Sequence, residues 1–155
     1  MIGLRFLLAT LFIFSASIAE AENWSGFRGA AGTGVSADTN LPLTWSMKDN
    51  LTWKSELPGR GDSSPAVNSR HVYVTSQTED GKLWVIAVNR NDGSVAWKKD
   101  VGSGVLAANG PPELYKHRHN PATSCPSADE EHVWAYFGTE LIVCVDVDVH
   151  EIWRR

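Results

Sequence analysis

A block of this chain occurs twice. Ser63-Ser64-Pro65-Ala66-Val67, a polar turn and His71-Val72-Tyr73-Val74 are answered by Ser124-Cys125-Pro126-Ser127-Ala128, a polar turn and His132-Val133-Trp134-Ala135, always 61 residues on. Further along, Trp84-Val85-Ile86-Ala87-Val88-Asn89 is answered by Leu141-Ile142-Val143-Cys144-Val145-Asp146 at an offset of 57, and Trp97 by Trp153 at 56. The length changes fall in turns, as they do when a supersecondary unit duplicates and drifts. Units of this kind bury their apolar faces against one another and not alone.

Each copy reads as four strands. The expected strands are Ser64–Asn68, His71–Ser76, Leu83–Asn89 and Ser94–Val101 in the first copy. In the second they are Cys125–Ala128, His132–Gly138, Glu140–Val145 and Glu151–Arg155. The third strand is nearly all apolar in both, the pattern of a strand covered on both faces. Glu79-Asp80-Gly81 and Asn91-Asp92-Gly93 supply turns with a glycine where φ > 0 is needed. The second copy has Asp148-Val149-His150 in place of the latter turn, which weakens its last hairpin. The expected class is all-β, with two antiparallel four-stranded units.

Three segments lie outside the copies. Residues 1–21 carry the marks of an export signal: Arg5, the apolar run Phe6–Phe14 and an Ala19-Glu20-Ala21 cleavage site. The run is shorter than the roughly 20 residues a membrane span needs, so cleavage after Ala21 and a soluble exported product are expected. Residues 22–50, rich in Gly, Ser, Ala and Asn, read as a flexible arm. Leu51–Leu57, with Trp53, reads as a fourth strand without its three mates. Between the copies, 102–123 is an insertion long enough to be either functional or disordered.

The net charge of −4 and the absence of any Lys/Arg stripe argue against nucleic acid as a partner. The seven tryptophans fall largely within short β-type runs and suit packing layers better than a sugar platform. Two cysteines in an exported chain invite a disulfide. Cys125 and Cys144 fall in the first and third strands of one unit, however, about 10 Å apart at ordinary strand spacing and beyond bridging distance. Two free thiols are expected.

Phe27-Arg28-Gly29, Gly32-Thr33-Gly34-Val35-Ser36 and Leu41-Pro42-Leu43-Thr44-Trp45-Ser46 open a recognisable order of motifs. Trp53-Lys54, Leu57-Pro58-Gly59-Arg60-Gly61, Ser63-Ser64-Pro65, Tyr136-Phe137-Gly138-Thr139 and Ile152-Trp153-Arg154 continue it. In this order they resemble exported pyrroloquinoline-quinone-like, or quinoprotein-type, β-propeller repeat proteins. The resemblance implies a ring of seven or eight four-stranded blades, with the Trp53 strand completing the last blade. Residues 51–155 would then be a partial propeller, with blades at 63–101 and 124–155. Two blades are fewer than the 4–8 a ring holds, so the expectation is a fragment, a truncated gene product or a wrongly bounded reading frame. The resemblance also implies that the remaining blades, another protein or further copies of the chain are its partners.

Quinoprotein dehydrogenases resembling this family hold their quinone with calcium, a tryptophan platform, a catalytic Asp and adjacent cysteines. No Cys-Cys pair and no acidic cluster suited to a hard cation occurs here. No catalytic or metal-ligating residue is therefore assigned, and no cofactor. Pyrroloquinoline quinone is expected only in a full-length relative. The leading expectation is a non-catalytic exported scaffold; the alternative is a piece of a quinone-dependent dehydrogenase. His117 and His119 form an H-x-H pair, but Lys116 and Arg118 would repel a cation and a third ligand is missing. His71 and His132 are a repeat signature, and Ser64 and Ser124 have no partners for a triad. Arg60-Gly61-Asp62 spells an adhesion tripeptide by chance composition. Asn23-Trp24-Ser25 and Asn50-Leu51-Thr52 match the glycosylation pattern, which matters only in a host with that machinery. Two units with one mutual interface should leave third-strand residues such as Val85, Ala87, Ile142 and Cys144 partly wet. Marginal stability, with aggregation or closed oligomers, should follow.

Overall fold

The computed structural model describes residues 22–39, 41–106 and 119–155. Eight strands form: β1 (Ala66–Val67), β2 (His71–Gln77), β3 (Lys82–Asn89), β4 (Val95–Ser103), β5 (Ser127–Ala128), β6 (His132–Tyr136), β7 (Ile142–Asp146) and β8 (Glu151–Arg154). They make two separate four-stranded antiparallel meanders, β1-β2-β3-β4 and β5-β6-β7-β8. One sequence copy therefore builds one sheet. The first strands are shorter than expected, so Cys125 precedes β5 instead of lying within it.

Register assigns every side chain to a face, because strand side chains alternate. In the first sheet Tyr73 lies opposite Ala87, Thr75 opposite Val85 and Gln77 opposite Leu83; Ala87 in turn lies opposite Trp97. We refer to this face as the front. The back carries Val72 opposite Val88, Val74 opposite Ile86 and Ser76 opposite Trp84. By the repeat offsets, the front of the second sheet is Trp134, Ile142, Cys144 and Trp153, and its back is Val133, Ala135, Val143 and Val145.

One buried cluster joins the sheets. From the first it takes Ala66, Tyr73, Leu83, Val85, Ala87 and Val101, with Trp97 against it. From the second it takes Ala128, Val133, Ala135, Phe137, Val143 and Val145. The front of one sheet thus packs on the back of the other. Thr75 is a buried polar residue in this seam, and its hydroxyl donates to the carbonyls of Ala122 (3.1 Å) and Ser124 (3.3 Å). Val85 and Ala87 are dry, because the second sheet covers them, and Cys144 is also buried. Of the four residues expected to be partly wet, only Ile142 is.

The sheets approach most closely at their first strands, β1 and β5. There, residues in the same place of the two copies touch each other. Ser64 N–H donates to Cys125 Sγ (3.1 Å), Asn68 Nδ2 to the Asp129 carbonyl (3.0 Å) and Ser69 Oγ to Glu130 Oε2 (2.5 Å). Equivalent residues meet only near an axis that relates their units, so the sheets converge at their first strands.

The described residues of 22–50 form no strand, and the start of this segment is anchored. Trp24 exchanges both backbone hydrogen bonds with Val67 (2.8 and 2.7 Å), and Ala128 N–H donates to the Ser25 carbonyl (2.8 Å). Trp24-Ser25 therefore stitches the two first strands together. Leu51–Leu57 is not a strand, and no described residue forms a ladder with it. Trp53 instead caps the β3–β4 turn, with its indole Nε1 donating to the Arg90 carbonyl (2.8 Å). Pro58 then accepts the hydroxyl of Ser76, which lies on the back of the first sheet. The insertion is also partly structural, since Ala122 enters the core and the Pro121 carbonyl accepts Gly138 N–H (2.8 Å). Residues 1–21, read above as an export signal, and His117 of the H-x-H pair lie outside the described residues.

Candidate interaction surfaces

Face-to-back packing leaves one front and one back without a sheet against them. The bare front belongs to the second sheet, where Tyr136, Ile142 and Trp153 are exposed around the buried Cys144. Burial pushes the Cys144 thiol above its ordinary pKa, with Asp129 and Asp146 adding to the shift. The thiol is buried as a packing group. Both cysteines are free. Cys125 Sγ is the acceptor of the Ser64 N–H at the axis, a structural role that the Ser-to-Cys exchange between the copies left unannounced.

The opposite end is the back of the first sheet. Ile86 and Val88 on this side are buried, and the chain from Trp53 to Pro58 crosses it. Beyond that strap lies a groove of about 950 Å³ whose lining includes Pro58, Arg60, Trp84, Lys98 and Asn120. Lys82 Nζ and Lys98 Nζ stand 5.8 and 5.6 Å from the Trp84 ring centre, within cation–π range. Trp84 Nε1 donates to Thr78 Oγ1 (3.2 Å), and Lys82 pairs with Asp100 (3.3 Å). The equivalent of Trp84 in the second copy is Leu141, which packs against the shared core. The groove is therefore the place that, one unit further on, is filled by the neighbouring sheet.

Around the axis the polar groups serve architecture. Glu130 receives Asn23 Nδ2 (2.7 Å) and Ser69 N–H (3.2 Å) besides the Ser69 hydroxyl, and the hydroxyl bond chiefly holds its carboxyl below the usual range. His71 Nδ1 lies 3.3 Å from Tyr73 Oη, which also accepts from Asn68 Nδ2 (3.1 Å). Burial lowers the His71 pKa and raises that of Tyr73. These shifts belong to packed side chains with partners.

The Arg60 guanidinium folds back on Asp62 (3.1 Å), and its backbone pairs with Gln77, so Arg60-Gly61-Asp62 continues the β1 edge along β2. A Cβ at Gly59, where φ is 71°, would collide with the Gln77 backbone. In both glycosylation-like triplets the amide nitrogen is engaged, Asn23 Nδ2 with Glu130 and Asn50 Nδ2 with the Thr44 carbonyl (2.8 Å). Ser64 and Ser124 are used through their backbones at the seam. Among the described residues no three His, Cys, Asp or Glu side chains converge as a metal site, and no helix is long and apolar enough to cross a membrane. No family model matches the chain, and no curated protein matches it significantly.

Proposed function

We propose that this chain forms two successive blades of an exported quinoprotein-like β-propeller and acts as a non-catalytic interaction scaffold. The observation that carries the proposal is the seam. A front-to-back contact between equivalent units, converging at their first strands, is the local rule that a propeller repeats around its ring. Such a contact is heterologous, leaving one complementary face free at each end, and repeats into a ring where the rotation closes. The polar groups at the seam are committed to holding the units together, which supports a binding role over a catalytic one. Quinone and calcium have no assigned residues in this reading.

Export with cleavage after Ala21 belongs to the same proposal, with a periplasmic or secreted product. Glu22 N–H lies 3.2 Å from Asp38 Oδ1. Cleavage would convert this bond into an ammonium–carboxylate pair at the new terminus. N-terminal sequencing of exported material should begin at Glu22, and a product beginning at Met1 would count against it. The scaffold reading is tested by titrating the chain with pyrroloquinoline quinone and calcium and following dye reduction with alcohols or sugars. Neither binding nor turnover is expected, and micromolar quinone binding would overturn it.

A further inference from the structure

Residues 22–25 each reach a different part of the molecule, and between them they touch both sheets. Glu22 is held at three points. Its N–H donates to Asp38 Oδ1 (3.2 Å), its carboxylate accepts the Ser36 hydroxyl (3.1 Å) and Ala37 N–H (2.9 Å), and its carbonyl accepts from Arg90 (3.3 Å). Arg90 also donates to the Asn68 carbonyl (2.9 Å), and the Asn68 side chain crosses the seam to Asp129. Asn23 donates to Glu130 of the second unit, Trp24 pairs with Val67 beside it, and Ser25 accepts from Ala128 on β5. Gly26 is buried, and a Cβ there would come within 2.9 Å of Ser127 Oγ, so the segment lies tight against the second sheet. The receiving side is ordered too, because Asp38 N–H donates to Ser36 Oγ (3.0 Å) and both residues are half-buried.

We propose that residues 22–25 are a clasp on the seam, and that cleavage after Ala21 tightens it by turning the Glu22 N–H into an ammonium facing the Asp38 carboxylate. This rests on the export reading given above and adds what the cut does to the packing of the two units. A chain end ordinarily frays unless it is tied down, and the cut places that end two residues from the Trp24-Ser25 stitch. The same cut supplies the tie. An amide offers Asp38 a dipole, whereas an ammonium offers a full opposite charge, which favours the ionised form of each. The charged groups around the new terminus are Asp38 on the arm, the Glu22 carboxylate itself, Arg90 from the β3–β4 turn and Glu130 beside Asn23. Three are negative and one is positive, so the balance favours the cation. Fixing Glu22 then lowers the entropy lost in keeping its three successors in place.

The test compares the exported chain with an exported variant carrying Gly, Ser and Gly inserted between Ala21 and Glu22, each with and without Asp38→Asn. N-terminal sequencing identifies the first residue of every product. Hydrogen exchange at pH 7 then reads the Trp24, Val67 and Ala128 amides, the backbone donors of the stitch. The product beginning at Glu22 should protect them about two- to fivefold better than the extended one, the range a surface ion pair supplies. Asp38→Asn should remove that advantage and leave the extended product unchanged. The pair also has a pH signature. In the folded product the α-amine should titrate above its ordinary range of about 7.7–8.0, and Asp38→Asn should return it there. Its contribution is therefore complete below the unfolded value and is lost as the pH rises through the folded one. Equal protection in the two products, or an Asp38→Asn effect of the same size in both, would overturn the clasp and leave export standing. A first residue other than Glu22 would overturn both. Circular dichroism melts establish that Asp38→Asn folds; where it does not, acetylation of the terminal amine removes the charge instead, with the same loss of protection expected.

Discussion

Val85 and Ile142 hold the same position in the two copies, yet the first is fully buried and the second is 40% exposed. Trp97 and Trp153 form a second such pair, one against the shared core and the other exposed. The strands, partners and faces are the same in each case, and only the neighbour differs. An apolar third strand in a repeat therefore reports what the unit is built to be covered by, not what covers it. The turns teach a related lesson. Gly93 and Val149 sit at φ of 74° and 75° in matching β3–β4 and β7–β8 turns. Their equivalence is fixed by Arg90 N–H bonding the Arg70 carbonyl as Val147 N–H bonds that of Glu131. At Gly93 the missing side chain makes room for the Trp53 ring, which an added Cβ would approach to 2.5 Å. At Val149 the chain accepts a β-branched residue in the left-handed region.

The sharpest way to break the comparison is to place the same charge at the paired positions. Val85→Asp should cost at least about 4 kcal/mol and abolish cooperative folding, because it buries an unpaired carboxylate. Ile142→Asp should cost under about 1 kcal/mol, as an exposed substitution does. Urea melts of the two variants check both, and equal effects would mean the front faces are not differently covered. Next in size, Gly93→Val should destabilise by about 2–3 kcal/mol through backbone strain and displacement of Trp53. The reverse exchange, Val149→Gly, should stabilise by about 1 kcal/mol, since relief of roughly 1–2 kcal/mol of left-handed strain exceeds the added chain entropy. Thermal unfolding of the pair reads both signs.

Smaller effects concern titration and thiols. Burial, assisted by Arg70, lowers the His71 pKa in the folded chain below its ordinary 6.5. The unfolded chain therefore takes up the proton first. The stability contributed by neutral His71 is complete above pH 6.5 and is lost as the pH falls through the folded value. Melting temperatures from pH 8 to pH 5 should decline, and His71→Gln should flatten that decline. An unchanged slope in the variant would remove His71 from the account. Smallest is the difference between the thiols. Half-buried Cys125 should react with a thiol-specific disulfide reagent before buried Cys144, and unfolding should release two equivalents without reductant.

The architecture was readable from the repeats because offset and alternation assign strands and faces before any coordinates exist. All eight strands begin and end within two residues of the sequence-based bounds. What could not be read is how neighbours cover each face. Nothing in the local pattern says that Val85 is dry and Ile142 wet, since burial is a property of what stacks on the strand. The Trp53 segment was misjudged for the same reason: its β-pattern is real, but a strand needs a ladder partner, and Trp53 found the glycine turn instead. Trp24-Ser25 passed as coil because a two-residue stitch has no periodicity. The Trp84 groove left no motif, although the exchange of Trp84 for Leu141 between copies was its available signal.

The central claim is that the two copies stack front to back, and contacts between side chains across the seam test it most directly. In the folded chain, nuclear Overhauser effects should link the Tyr73 ring and the Val85 and Ala87 methyl groups with those of Val133, Val143 and Val145. None should link them with Ile142 or Trp153. Cross-peaks joining Tyr73 or Val85 to Trp134, Ile142 or Trp153 would show the sheets packed front to front and would contradict the account.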